Sequence, residues 1–341
     1  YLSGWISLTV GFAAPIAFSE YFPFGNFNVK WMSIALVAVI TLIHTRSLKL
    51  SAEFQNISTL LKVILIVIII GVGLILPEHS GNEIVSSKGY FTELTSTAFA
   101  IALIYVSYSY SGWNAAAYIT EEFENPLKSL PKALIGGTVL VTVLYTLLQY
   151  VFLKHVPVND LAGQLNVGTI ATKQMLGEKA GSFFGLAISL LLISGISAMV
   201  WVGPRVTLSI AKEHRLWSYF QTQENGIPKR ALWLQFGISA LLLLTGTFEQ
   251  IMIYCGILLT ASSLMTVLGV FKLRKQNQNQ QIKGFKSPLF PLFQIVFILL
   301  SVWMITYAFI NNPFETILGM SNLLIGTGTY FWSKKLEKSN Y

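Results

Sequence analysis

Charged side chains are scarce in this sequence, with Asp, Glu, Lys and Arg together making up 11% of its 341 residues, whereas an ordinary soluble domain carries about 25%. A soluble fold of this size could not cover itself with so few. Cysteine is scarcer still: Cys255 stands alone inside an apolar run, which excludes an internal disulfide framework and reads as a small buried residue. The four histidines, His44, His79, His155 and His214, fall at the ends of apolar runs or between them, which argues against a histidine proton relay through the middle of a membrane. No HExxH, no glycine-flanked nucleophile elbow and no Asp, Glu or His pair within an apolar run is found, so an enzyme of the bilayer interior has no support. A GxxxxGK[ST] loop is missing too, which argues against direct ATP drive by this chain. Neither a cofactor nor a metal is expected. No cleavable signal peptide is visible, and the start at Tyr1 rather than Met reads as a chain whose true N-terminus lies upstream.

Hydrophobic residues, in contrast, make up 53% of the chain. About 20 apolar residues suffice to cross a hydrocarbon core of about 30 Å, and ten such spans are found, at 2–21, 30–45, 57–76, 95–120, 133–153, 181–210, 231–247, 249–271, 290–310 and 313–332. Lys and Arg in short loops remain cytoplasmic. If Tyr1 is inside, seventeen cations lie on the inner side and five (Lys30, Lys88, Lys154, Lys173 and Lys179) on the outer, with Lys62 left within a span. One miscounted span would invert every later loop and spoil that asymmetry, so both ends of this chain are expected in the cytoplasm. The net charge of +8 is thus a record of topology rather than of nucleic-acid binding, since no aromatic-interleaved basic patch exists. The gap at 154–180 predicts short helices over the outer mouth. The stretch KLRKQNQNQQIKGFKSP, 272–288, reads as a flexible cytoplasmic loop.

Span four is a poor lipid-facing helix. Its middle, Ser107-Tyr108-Ser109-Tyr110-Ser111-Gly112-Trp113-Asn114, is polar, aromatic and glycine-containing at mid-bilayer depth. Serines can return hydrogen bonds to the backbone and Gly112 tolerates non-helical dihedrals, so a break is one reading. Irregular backbone at that depth survives only beside a cavity or inside protein, where it exposes carbonyls and half-helix ends to a charged ligand. A continuous helix with a seam of small residues is the other. Composition leaves both open.

The run Tyr110-Ser111-Gly112-Trp113-Asn114, followed by Thr120-Glu121-Glu122, Asn125-Pro126 and Leu130-Pro131 with Ala133, resembles the sixth helix and following loop of amino acid permeases of the amino acid, polyamine and organocation superfamily, nearest to its L-type amino acid transporter branch. Gly203-Pro204-Arg205, Ala211-Lys212-Glu213 and Gly226-Ile227-Pro228 resemble the end of that family's eighth helix and its loop, and Gln55-Asn56 with Lys62 the start of its fifth. The resemblance implies an all-α, LeuT-like inverted-repeat membrane fold, with these ten spans matching the third to the twelfth helix of the family's twelve. Residues 1–76 would then be the remainder of the first repeat, 95–271 the second repeat, and 290–333 two extra helices, in one transporter domain. The family's first two helices, the first with a glycine-rich break that holds the substrate carboxylate, have no counterpart here.

By the same resemblance Tyr108 is the aromatic gate. Backbone around Tyr108, Ser109, Ser111 and Gly112 receives the substrate ammonium, and Asn114 is a polar position behind the gate. The family has small residues where this chain has Ser109 and Ser111. Trp113 is equally open to a packing role, and Tyr254 reads first as a packed aromatic and second as a pocket lining. Lys62 lies about five residues from the inner end of its span, or roughly 7–8 Å, so spacing alone leaves a snorkelling side chain open beside an intramembrane function. The resemblance favours function, since sodium-independent relatives place a fifth-helix lysine where sodium-coupled cousins bind a cation. Ser194 and Ser197 in span six are candidates to face it, or to bond their own backbone. The implied function is a secondary transporter or exchanger of amino acids across the plasma membrane, working by alternating access without sodium. The alternatives are a proton-coupled amino acid or polyamine symporter, and a non-transporting remnant or sensor. The implied partners are a small amino acid and the bilayer, with no nucleic acid.

Overall fold

The computed structural model describes residues 17–18, 21, 28–46, 49–78, 90–113, 116, 120, 124–221, 226–276 and 285–338. Its main helices are α1 (Val29–His44), α2 (Lys49–Ile75), α3 (Thr97–Ser109), α4 (Pro126–His155), α5 (Val167–Leu176), α6 (Glu178–Glu213), α7 (Lys229–Thr245), α8 (Phe248–Gln276), α9 (Leu292–Asn311) and α10 (Pro313–Lys338). Every span expected after the first has a helix of its own. The span at 2–21 lies outside the described residues apart from Ala17, Phe18 and Tyr21.

Length and composition let five described helices cross a bilayer by themselves: Asn56–Ile75, α4, α6, α8 and α9. The 16 residues of α1 and the 13 of α3 are apolar but rise only about 24 and 20 Å, short of a hydrocarbon core. In α3 the shortness is a break within a longer apolar run. Helix α4 begins seven residues before the expected span because Pro126 suits a first-turn position, where its missing N–H costs nothing.

Packing centres on α6 and α8. One buried cluster joins Val37 and Ile40 of α1, Ile196 and Val200 of α6, Leu232 and Leu243 of α7, and Ile251 and Cys255 of α8. A second joins Ile104 of α3, Ile253 and Ile257 of α8, and Met304 and Ala308 of α9. Cys255 is a fully buried thiol. The 154–180 gap holds two short helices, Val158–Leu161 and α5. The second lies so close on α6 that a Cβ at Gly181 would fall 2.6 Å from the Cα of Lys173.

Three of the five lysines assigned to the outer side are tied down locally. Lys154 Nζ donates to the carbonyls of Gly73, Leu74 and Leu76 at 3.1, 3.0 and 2.6 Å, closing the C-terminus of α2, and Lys30 Nζ donates to Leu244 O of α7 at 2.8 Å. Lys173 pairs with Glu178 at 2.9 Å. A cation at the negative end of a helix dipole gains about 0.3–1 kcal/mol.

Candidate functional site at the broken end of α3

Helix α3 stops at Ser109. Tyr110 N donates to Val106 O at 3.2 Å, the last regular bond, and Ser111 N then donates to Tyr108 O at 2.9 Å, tightening the chain into a turn. Ser109 Oγ returns to Val106 O at 2.7 Å, the local competition by which serines end helices. Gly112 follows with φ +102°. A Cβ there would meet only Met199 Cε, at 3.9 Å, so the demand for glycine comes from the backbone angle and not from lack of room. Of the two readings open in the sequence, the structure shows the break.

Tyr108 is half-buried against the cluster of α1, α6, α7 and α8, and its Cβ lies 4.0 Å from where a Cβ on Gly256 would be. Ser109 is exposed, Ser111 half-buried, and Trp113 turns about half its surface outward. Asn114 lies outside the described residues.

Lys62 extends from α2 towards α6, its Nζ 3.8 Å from where a Cβ on Gly195 would be. Gly195 is seventeen residues from Glu178 and eighteen from Glu213, the middle of α6, so this ammonium is about 26 Å from either helix end. It has no hydrogen-bond or ion-pair partner among the described residues. Met199, which faces Gly112, is one turn from Gly195 on the same face of α6, a rise of about 6 Å. The lysine and the break, found separately in the sequence, therefore meet one stripe of one helix.

The two serines part company. Ser194, beside Gly195, is fully buried and its Oγ has no partner among the described residues. Ser197 Oγ lies 2.9 Å from His44 Nε2, both buried. His44 was not a candidate, because its place at a span end hid the fact that its side chain turns inward. Tyr145 of α4 was also missed. Its hydroxyl donates to Ser109 O at 3.3 Å and its ring meets Tyr110 edge-on, with centroids 5.5 Å apart. Nothing in the apolar run around it signals that role. Gln235 did leave a signal, as a lone amide in the apolar helix α7. It is buried, Nε2 donates to Met199 O at 3.1 Å, and it passes so near Gly203 that a Cβ there would fall 2.6 Å from Nε2. Tyr254 bonds Asn322 of α10 and packs in the core. No cluster of three His, Cys, Asp or Glu residues suited to a metal occurs among the described residues.

The arrangement offers helix-end carbonyls and a fixed cation to a ligand of either charge. A family model described as an amino acid permease matches residues 1–331. The chain is 26% identical over 364 residues to the b(0,+)-type amino acid transporter 1 of Mus musculus, covering 99% of this chain and 74% of that protein. It is 23% identical over 359 residues to the serine/threonine exchanger SteT of Bacillus subtilis, covering 99% and 79%. To the Asc-type amino acid transporter 1 of Homo sapiens it is 24% identical over 309 residues, covering 88% and 58%.

Proposed function

The chain belongs to the amino acid permease family, as an all-α integral membrane transporter of LeuT-like fold and not an enzyme, and from that premise we propose that it exchanges amino acids across the membrane by alternating access, independently of sodium. The relatives named above are transporters and exchangers of amino acids. The observation that carries the reading is the convergence of the Gly112 turn and the Lys62 ammonium on Met199 and Gly195, one turn apart at the centre of α6.

In this reading the carbonyls around Tyr108, Ser109, Ser111 and Gly112 take the substrate ammonium, Asn114 lies behind them, and Tyr108 closes over the site. Lys62, beside Ser194, supplies permanently the charge that a bound sodium supplies elsewhere, while Ser197 acts at one remove through His44. Residues 95–271 form the second repeat, 1–76 part of the first and 290–333 the two added helices. Both ends face the cytoplasm, and the membrane is the plasma membrane. The snorkelling reading of Lys62 suits an ammonium near a helix end, and this one is level with the middle of α6.

The test is uptake of labelled neutral amino acids into proteoliposomes holding the complete protein. Unlabelled amino acid on the far side should accelerate uptake, and replacing sodium with potassium or choline should leave it unchanged. Uptake of polyamines alone would overturn the substrate class. A strict sodium requirement would overturn the role of Lys62.

A further inference from the structure

Between Glu249 and Glu315 the sequence contains no acidic residue, yet it carries Lys272, Arg274, Lys275, Lys283 and Lys286. The single ion pair among the described residues, Lys173–Glu178, lies elsewhere. Helix α8 runs on past its expected end to Gln276, so Lys272, Arg274 and Lys275 form its last turn. Its 29 residues rise about 43 Å, the thickness of a bilayer with its headgroups and well beyond the hydrocarbon alone. That last turn therefore lies at headgroup depth.

The group is held in place. Phe290, just before α9, packs against Phe271 (centroids 5.2 Å apart) and lies under the Arg274 guanidinium, whose central carbon is 3.8 Å from its ring centre. A stacked guanidinium keeps its N–H edge free for acceptors in its own plane. Lys272 and Lys275 on the same last turn, and Lys286 four residues before Phe290, are exposed, and Leu289, Leu292 and Phe293, next to Phe290 in the chain, each turn more than half their surface outward. The dipole of α8 offers these cations only about half a negative charge at its C-terminus. Four positive charges at headgroup depth next to an open apolar rim thus have no counter-charge among the described residues.

We propose that this corner, where α8 ends and α9 begins, binds the phosphate of an anionic phospholipid. Arg274 holds the phosphate in its guanidinium plane, Lys275 and Lys286 flank it, and the acyl chains lie on the rim of Leu289, Leu292 and Phe293. A soluble anion would find the same cations but has no use for the rim. The assignment does not depend on transport or on which substrate is carried.

Native mass spectrometry of the full chain, purified in mild detergent and titrated with phosphatidylglycerol, phosphatidylcholine or inorganic phosphate, reads the occupant directly. Phosphatidylglycerol should be retained preferentially over the other two. One basic residue near an anionic surface contributes about fivefold, so Arg274→Gln/Lys275→Gln/Lys286→Gln should cost the tightest phosphatidylglycerol roughly a hundredfold. Phe290→Leu, which keeps the charges and loses the stack, should cost about twofold to fivefold. Equal retention of phosphatidylcholine, inorganic phosphate binding as tight as the lipid, or a triple variant that keeps its phosphatidylglycerol would each overturn the assignment. Should the triple variant not fold, exposed Lys286→Gln and a salt titration of the unmodified chain decide: the preference must weaken in both, and one indifferent to both sinks the proposal.

Discussion

Replacing Lys62 with methionine keeps an unbranched side chain and removes its charge, and two opposed effects should follow. Because the ammonium lies level with the middle of α6, it carries the cost of a central lysine, about 2.5–3.5 kcal/mol on insertion scales. Lys62 is half-buried against protein, so only part of that is recovered, and Lys62→Met should stabilise the protein by about 1–3 kcal/mol. If the charge holds the transport-competent arrangement together, exchange should nevertheless fall at least about tenfold, equivalent to about 1.4 kcal/mol. The assays are thermal unfolding of purified protein and exchange into proteoliposomes per folded molecule. A snorkelling lysine moves neither, since its head already reaches water. Normal exchange with an unchanged unfolding midpoint would therefore refute the coupling role, and a variant that fails to fold would show that Lys62 is structural.

Tyr108→Ala should cut transport far more than it cuts the yield of folded protein, measured side by side. Normal transport at normal yield would show that the gate is elsewhere. Gly203→Ala places a Cβ 2.6 Å from Gln235 Nε2, which must displace Gln235 from the Met199 carbonyl at a cost of about 1–3 kcal/mol; an unfolding midpoint like that of the unmodified protein would show that Gln235 swings aside freely. Lys154→Met removes the cap on α2 and should lower stability by about 1 kcal/mol with exchange per folded molecule unchanged. A specific loss of exchange there would mean that the outer end of α2 moves during the cycle.

The apolar runs placed nearly every helix because about 20 hydrophobic residues have few other uses. They said less about where helices end. Helix α8 continues through Lys272–Gln276 because Lys, Arg and Gln are good helix formers in water as well as in lipid, so hydropathy marks the membrane boundary and not the helix boundary. The reverse held at α3, where hydropathy continued and the helix stopped at Ser109. There the informative signal was local: three serines and a glycine at a depth where lipid offers the backbone no partner. Rotation about a helix axis was not legible at all. His44 reads the same whether it points to the headgroups or to Ser197, and only packing of α1 on α6 and α7 decides. Tyr145 is likewise one aromatic among many until α4 brings it to Ser109.

What the structure adds is the proximity of two opposite charges of different origin. The C-terminus of α3 carries about half a negative charge at its terminal carbonyls, of which those of Tyr108 and Ser109 each already accept one hydrogen bond, and the stripe it faces on α6 also receives the Lys62 ammonium one turn away. At an effective dielectric of about 20, half a charge against a whole one is worth at most about 1 kcal/mol at about 8 Å and less at longer range. In the proposed mechanism that attraction stabilises the empty site, and an arriving substrate ammonium competes for the same carbonyls against a like charge. Removing the lysine then weakens the framework and lifts the competition together. The loss of exchange in Lys62→Met should therefore appear in the maximal rate, with KM unchanged or lower by up to about fivefold, the factor that 1 kcal/mol represents. A variant whose whole defect is a raised KM would place Lys62 in direct contact with the substrate instead.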